Sequence, residues 1–327
     1  MKAIIAETTG PPEVLKLQEV PKPIMKDHEV LIKVEAISVN FADIKARLGQ
    51  YHGVANNEPF TPGLDCAGIV EETGSAVTGF SAGDRVRAFP ASGSYAEYVV
   101  ASDQLVYKIP DSVTFEEAAA TLTVGITAYN VLHEVARIQP GESLLVHAAA
   151  GGIGTTAIQL AKLAGISEIY GTVGSEEKMK VVEGLGAIAV NYRENNFAEV
   201  VAELTGGKGV DVILDTIAGE NFERSLEVLA PFGRIVSFGH ANEGSVPGTV
   251  KTDELHSSCR AVLGYSTGTY RKQRPGFLKH AEAAISELLE QRQLNVSITG
   301  RYPLEQAAQA HALMESRKST GKLVLLP

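Results

Sequence analysis

A cluster of small residues carries the most specific chemical signal in the chain. The stretch LLVHAAAGGIGTTAIQLAKLAG, Leu144 to Gly165, opens with apolar residues and passes through Gly151, Gly152, Ile153 and Gly154. From Ile153 its apolar positions fall at helical spacing: Ile153, Ala157, Leu160, Ala161 and Ala164. A strand, a glycine turn and a helix in that order make a phosphate cradle. One small residue permits the tight turn, a second lets backbone amides approach a pyrophosphate, and a third lets the helix pack on the strand. Gly151, Gly152 and Gly154 can fill the last two roles, and Ala149 stands where the first glycine is usual. The expectation is hydride chemistry on a bound nicotinamide dinucleotide.

The second strand decides between cofactors. An NAD site usually presents Asp or Glu about twenty residues on, hydrogen-bonded to the ribose 2′-hydroxyl. Here that count from Gly154 reaches Gly174 and Ser175 in GTVGSEEKMK, with no carboxylate at either. Lys178 falls in the first turn of the next helix, within reach of a 2′-phosphate. Tyr192 ends the third strand, placed to pack on adenine or to contact that phosphate. Glu176 and Glu177 count against a phosphate, although carboxylates also suit a helix N-terminus. On balance the residues favour NADP(H).

These residues need a particular scaffold. From about Pro140 the chain alternates strands, at Ser143–Ala148, Glu168–Val173, Ala187–Tyr192, Val210–Asp215, Arg234–Phe238 and Arg260–Ser266, with helical patterns between them. That rhythm reads as a doubly wound parallel sheet, whose ligands sit at the carboxyl ends of the strands. Asp215-Thr216, Phe238-Gly239-His240 and Gly264-Tyr265-Ser266 fall at that edge. The first hundred residues read instead as β. EVLIKVEAIS places Val30, Ile32, Val34 and Ala36 on one face, and short strands with Gly and Pro punctuation suggest a barrel-like domain. Thr114 with Glu117 three residues on forms a capping box that opens a helix. A long helix around His280 to Gln291 and a last strand, KLVLLP, complete an α/β chain.

Composition narrows the function classes. With 44% hydrophobic and 21% charged residues over 327 positions, the chain is an ordinary globular protein with room for two or three domains. A formal net charge of -10 argues against nucleic-acid or anionic-membrane surfaces. The uncharged run Ala118 to Leu132 is too short and polar to span a bilayer, and the apolar start stops at Glu7, too soon for a signal peptide. Two cysteines, Cys66 and Cys259, point to a reduced cytoplasmic setting and cannot build a cysteine zinc site. The expectation is no metal. His147, at the end of the first Rossmann-type strand, reads as a core histidine.

Taken together, VNFADIKARLGQY, PGLDCAGIV, GDRV, GITAYNVL, HAAAGGIG, GTVGSEEK, NYRE, VSFG and ESRKSTGKLVLLP resemble the medium-chain dehydrogenase/reductase superfamily from end to end. The nearest likeness is to its zinc-independent quinone oxidoreductases. The resemblance implies a GroES-like β-barrel catalytic domain (1–124), a Rossmann NADP-binding domain (125–266), and a segment (267–327) returning to the first. Zinc-dependent relatives carry a Cys near VNFAD, and His-Glu where this chain has Leu64-Asp65; neither ligand set is here, nor is the four-cysteine lobe. The resemblance further implies Asn40, Asp43 and Tyr51 lining the cleft and Thr127 near the nicotinamide. It places Arg317 at a position associated with cofactor phosphate, and implies a homodimer joined near Arg260 to Ser266. His52 is a weaker cleft candidate. Without a metal to lower a hydroxyl pKa, the accessible chemistry is hydride delivery to a quinone or an α,β-unsaturated carbonyl. Enoyl-thioester reduction, or non-catalytic NADPH binding, remain the alternatives.

Overall fold

Strands dominate the first hundred residues, as the alternation and turn spacing predict. They are β1 (Lys2–Ala6), β2 (Leu15–Glu19), β3 (Glu29–Val39), β4 (Cys66–Thr73), β5 (Arg85–Ala88), β6 (Tyr98–Ser102) and β7 (Val106–Lys108), with α1 (Phe41–Arg47) after β3. The computed structural model describes residues 1–50, 58–241 and 246–327, and the chain divides into two units. Unit 1 is Met1–Val124 with Arg271–Pro327, and unit 2 is Gly125–Tyr270. Tyr51 and His52 lie outside the described residues.

Helix α2 (Phe115–Tyr129) begins at the expected capping box. Glu117 accepts the Thr114 N–H at 2.9 Å, and Thr114 Oγ1 accepts the Glu117 N–H at 3.2 Å. Then follow β8 (Ser143–Val146), α3 (Gly152–Leu163), β9 (Glu168–Val173), α4 (Glu176–Gly184), β10 (Ile188–Asn191), α5 (Phe197–Leu204), β11 (Val210–Asp215), α6 (Glu220–Glu227), β12 (Leu229–Ser237), α7 (Thr252–Ser258), β13 (Ala261–Gly264) and α8 (Thr267–Gln273). The last elements are α9 (Leu278–Glu290), β14 (Ile298–Pro303), α10 (Ala307–Glu315) and β15 (Lys322–Leu326).

In unit 2 the six strands pair in parallel in the order β10-β9-β8-β11-β12-β13. Numbered from β8, that is 3-2-1-4-5-6, the doubly wound order of dinucleotide-binding folds. Among the strand boundaries that differ from the sequence reading, two have a local cause. The first strand stops at Val146, because His147 to Ala150 form the turn. The fifth starts at Leu229, because a register irregularity lets Leu229 pair Val210 ahead of the Pro231-Phe232-Gly233 bend. Leu145, Tyr170, Val201, Ile213 and Ile235 lie in the core of this unit.

In unit 1 the sheet runs β14-β15-β3-β4-β5-β7, with β6 also paired to β3. The C-terminal strand is therefore internal: β15 lies antiparallel to β3, with Leu323 opposite Val39. Ile32, Val34, Ile37, Cys66, Val86 and Leu323 are buried together in its core. Fully burying a side chain such as Ile32 stabilises by roughly 1.5–3 kcal/mol, which holds β3 in register. No helix among the described residues is long and apolar enough to cross a membrane.

Candidate functional site

The glycine turn takes a form that the sequence motif did not specify. The left-handed residue is Ala148, with φ 53°, and Ala149 donates its N–H to the Thr172 carbonyl of β9 at 3.1 Å. The turn thus has no need of a glycine at position 149, although a left-handed alanine costs roughly 1–2 kcal/mol. Gly154 does the close packing. A Cβ there would lie 2.6 Å from the Ala148 and Ala149 carbonyl oxygens. Gly151 is the N-cap of α3 and brings no side chain to cap that helix. The amides of Gly152, Ile153 and Gly154 at its N-terminus fit a pyrophosphate.

At the end of β9, Gly174 leaves room for two side chains of the next strand's turn. A Cβ on Gly174 would stand 2.7 Å from Tyr192 Oη and 3.4 Å from Arg193 Nε. Ser175 is the N-cap of α4, accepting the Lys178 N–H at 3.4 Å. The Glu177 carboxyl is held below its usual range by the backbone N–H and Ser175 hydroxyl beside it. Gly174, Ser175, Lys178 and Tyr192 are therefore brought to one corner, and Arg193, absent from the sequence reading, joins them. Its only sequence signal is a basic residue directly after the third strand.

Along the carboxyl edge, Thr216 and Gly239 meet so closely that a Cβ on Gly239 would lie 2.4 Å from Thr216 Oγ1. Phe238 donates its N–H to Asp215 O at 3.0 Å, and His240 follows, exposed. The Asp215 carboxylate is spent on the turn, accepting from the Ile217 N–H at 3.0 Å and Asn221 Nδ2 at 3.0 Å. Beyond Gly264, Ser266 Oγ accepts the Thr269 N–H at 3.2 Å, while Tyr265 is buried. Thr127 Oγ1 lies 2.8 Å from Thr267 Oγ1, which donates to Tyr265 Oη at 3.2 Å. Asn130 Nδ2 reaches the same phenol oxygen at 2.9 Å. Thr127 thus heads a chain of hydroxyls. His147 is a core residue, its ring nitrogens 2.9 Å from Thr172 Oγ1 and 2.8 Å from Ser225 Oγ. Burial pushes its pKa down to about 4.

Unit 1 holds a second group of polar residues, all enclosed. Asn40 is the N-cap of α1, and Asp43 Oδ2 accepts its backbone N–H at 2.8 Å. The Asn40 side chain turns away from the helix. Its Nδ2 donates to Asp65 Oδ1 at 2.8 Å, and its Oδ1 accepts from Lys322 Nζ at 2.8 Å. Lys322 donates also to the Val39 carbonyl at 2.8 Å, and Asp65 Oδ2 accepts the Thr123 N–H at 2.9 Å. Asp43 Oδ2 accepts further from Tyr95 Oη at 3.2 Å, and that phenol lies 2.9 Å from His311 Nε2. Burial pushes the Asp43 carboxyl up to about 7, lowers His311 to about 3, and pulls the Lys322 ammonium below its ordinary value. The sequence reading had Asn40 and Asp43, but missed Asp65 and Lys322 as their partners. Arg317 belongs to this unit, exposed and left-handed (φ 58°) just past α10.

Comparison with known proteins agrees with both halves. Residues 26–111 match the alcohol dehydrogenase GroES-like domain, and residues 152–283 match the zinc-binding dehydrogenase family. The chain is 37% identical to the quinone oxidoreductase of Homo sapiens, over 100% of this chain and 98% of that protein. It is 40% identical to the quinone oxidoreductase of Lama guanicoe, over 100% and 97%. Among solved structures, Escherichia coli quinone oxidoreductase complexed with NADPH superimposes with a TM-score of 0.92 at 33% identity, covering 100% of both chains.

The second family description raises the question of zinc, and the donors do not fit it. Where zinc-dependent relatives have ligands, this chain has an amide, Asn40, a leucine, Leu64, and a carboxylate, Asp65. The amide already holds the Lys322 ammonium and both carboxylate oxygens are taken by N–H groups. A zinc ion needs Cys, His or carboxylate donors, and an ammonium beside Asn40 repels one. The neighbouring Cys66 is fully buried, which pushes its thiol pKa up and away from the thiolate form. With the doubly wound sheet, the GroES-like unit and full-length identities of this size, the chain belongs to the quinone oxidoreductases of the medium-chain dehydrogenase/reductase superfamily.

Proposed function

We propose that this chain is an NADPH-dependent, zinc-independent reductase that delivers hydride to quinones or to α,β-unsaturated carbonyls. The observation that carries the reading is the Lys322–Asn40–Asp65 arrangement, in a chain similar over its whole length to quinone oxidoreductases. An unactivated alcohol needs a metal or base to take its proton, and a lysine-held amide supplies neither. A conjugated acceptor is already electrophilic. Bound NADPH supplies the hydride, and water supplies the proton that completes a hydroquinone or saturated carbonyl.

The remaining steps fall to the chain's own residues. The α3 amides hold the pyrophosphate, and Lys178 and Tyr192 hold the 2′-phosphate. Thr216, Phe238 to His240, and Gly264 to Ser266 line the ribose and nicotinamide end, with Thr127 near the ring and Arg317 at a cofactor phosphate. Asn40 and Tyr51 assist the growing oxyanion. For Asn40 the available hydrogen is the one spent weakly on the Ser38 carbonyl, at 3.4 Å. Asp43 fixes the start of α1, which keeps Asn40 in place.

Domain boundaries at 1–124, 125–266 and 267–327 go with this reading, as does a cytoplasmic homodimer. The edge strand β13 supports the dimer, since its outer side has no strand partner among the described residues. The test is initial-rate kinetics with a quinone, an enone and a primary alcohol, for wild type, Asn40→Ala and Tyr51→Phe. Losing a preorganised oxyanion donor can cost about 10²–10³ in kcat, and water substitution in an open site brings the Tyr51→Phe loss to about tenfold. Efficient alcohol oxidation with no quinone or enone turnover overturns the reading.

A further inference from the structure

The corner at the end of β9 holds a guanidinium, that of Arg193, with no bonded partner among the described residues. Arg193 is exposed, and its backbone N–H donates to Asn191 Oδ1 at 3.2 Å. Among the described residues its guanidinium makes no hydrogen bond or ion pair. Yet it is not simply extended into solvent. Its Nε and the Tyr192 hydroxyl converge on the space over Gly174, at 3.4 and 2.7 Å from where a Cβ would stand. In an NAD site this place at the end of the second strand carries a carboxylate that binds the ribose 2′-hydroxyl. Here the side chain is deleted, and a phenol and a guanidinium close over the gap.

We propose that Arg193 is a specificity-determining residue that grips the 2′-phosphate of NADPH from the β10 side, opposite Lys178 on α4. The inference rests on the NADPH-dependent reading above. A guanidinium presents parallel N–H donors matched to phosphate oxygens, which a lysine ammonium does not. Nearby carboxylates do not neutralise it. Glu194 accepts from Asn191 Nδ2 at 2.8 Å, and Glu177 is turned into the cap of α4. The Tyr192 phenol beside it can donate to the same phosphate. Two cations on separate elements then explain how a site flanked by Glu176 and Glu177 accepts a dianion.

The test uses calorimetric titration of the full chain with four probes: NADPH, NADH, 2′,5′-ADP and 5′-AMP. Wild type is expected to bind 2′,5′-ADP at least tenfold tighter than 5′-AMP. Arg193→Ala is expected to lose about tenfold to a hundredfold in affinity for NADPH and 2′,5′-ADP, while NADH and 5′-AMP stay within twofold. Arg193→Lys, which keeps charge but not the fork, falls between. Unchanged NADH binding shows that the site is still folded. If Arg193→Ala weakens NADH and 5′-AMP equally, the residue stacks on adenine instead and the proposal fails. It also fails if the variant keeps full preference for the phosphorylated probes, with the NADPH reading intact. A wild-type chain blind to the 2′-phosphate overturns both.

Discussion

Replacing Lys322 by methionine tests the electrostatic logic of the GroES-like unit. Lys322 is 3% exposed, and its ammonium donates to the Val39 carbonyl and to Asn40 Oδ1, both at 2.8 Å. Methionine fills a similar volume without donors. Two buried acceptors then go unpaired, at roughly 1–3 kcal/mol each. Asp65, which is 0% exposed, is linked to Lys322 through the Asn40 amide and loses the nearby cation whose field it shares, and stranding a buried charge costs about 3–5 kcal/mol. These losses overlap, so the expected destabilisation is about 4–5 kcal/mol. The chain has no tryptophan, so the assay is urea unfolding followed by far-UV circular dichroism, with ligand-free protein. Adding Asp65→Asn removes the stranded charge and is expected to recover at least half of the loss, a non-additivity that marks direct coupling. A Lys322→Met chain within about 1 kcal/mol of wild type, or a double variant that is merely additive, refutes the reasoning.

Three other outcomes are expected. Lys178→Glu weakens NADPH by about tenfold to a hundredfold and leaves NADH nearly unchanged; equal weakening of both in a binding titration assigns Lys178 a structural role. Gly154→Ala, whose new Cβ meets backbone at 2.6 Å, abolishes detectable dinucleotide binding by calorimetry, whereas wild-type affinity shows that the turn can shift. His147 has its folded pKa lowered to about 4 by burial, so the unfolded chain takes up its proton first as pH falls below about 6.5. Its contribution is complete above pH 6.5 and is lost toward pH 4. His147→Gln should therefore show a stability–pH slope shallower by about 1.4 kcal/mol per pH unit within that window, measured by urea midpoints; parallel slopes contradict it.

The parallel sheet was legible because each strand is a short apolar run bounded by turn residues, and five of the six starts fall within a residue of the reading. The exception, β12, hides its first half behind Pro231-Phe232-Gly233, which looks like a turn and is a bend within the strand. The corner at the end of β9 was half legible. Gly174 follows from motif spacing and Tyr192 from the end of the third strand, but Arg193 converges with Tyr192 only through the way the chain turns after β10. The polar group around Asn40 was the least legible. Lys322 heads an apolar strand and reads as a solvated end. It is enclosed because β15 sits between β14 and β3, a pairing across 282 residues from Lys322 to Asn40 that no local pattern carries.

That pairing sets an order of assembly. During synthesis every strand of the Rossmann-type unit is made before β15, which then closes the older sheet beside β3. Domains usually complete in N-to-C order; here the first unit begun is the last finished. Until Lys322 is made, Asp65 and the Asn40 amide have no cation to enclose, and the edge of β3 that β15 will cover stays open. A growing chain therefore passes through a state with one complete sheet and one exposed strand edge, the kind of surface that chaperones hold. A chain truncated before Lys322 stays in that state permanently, its dinucleotide unit intact and its older sheet unable to close.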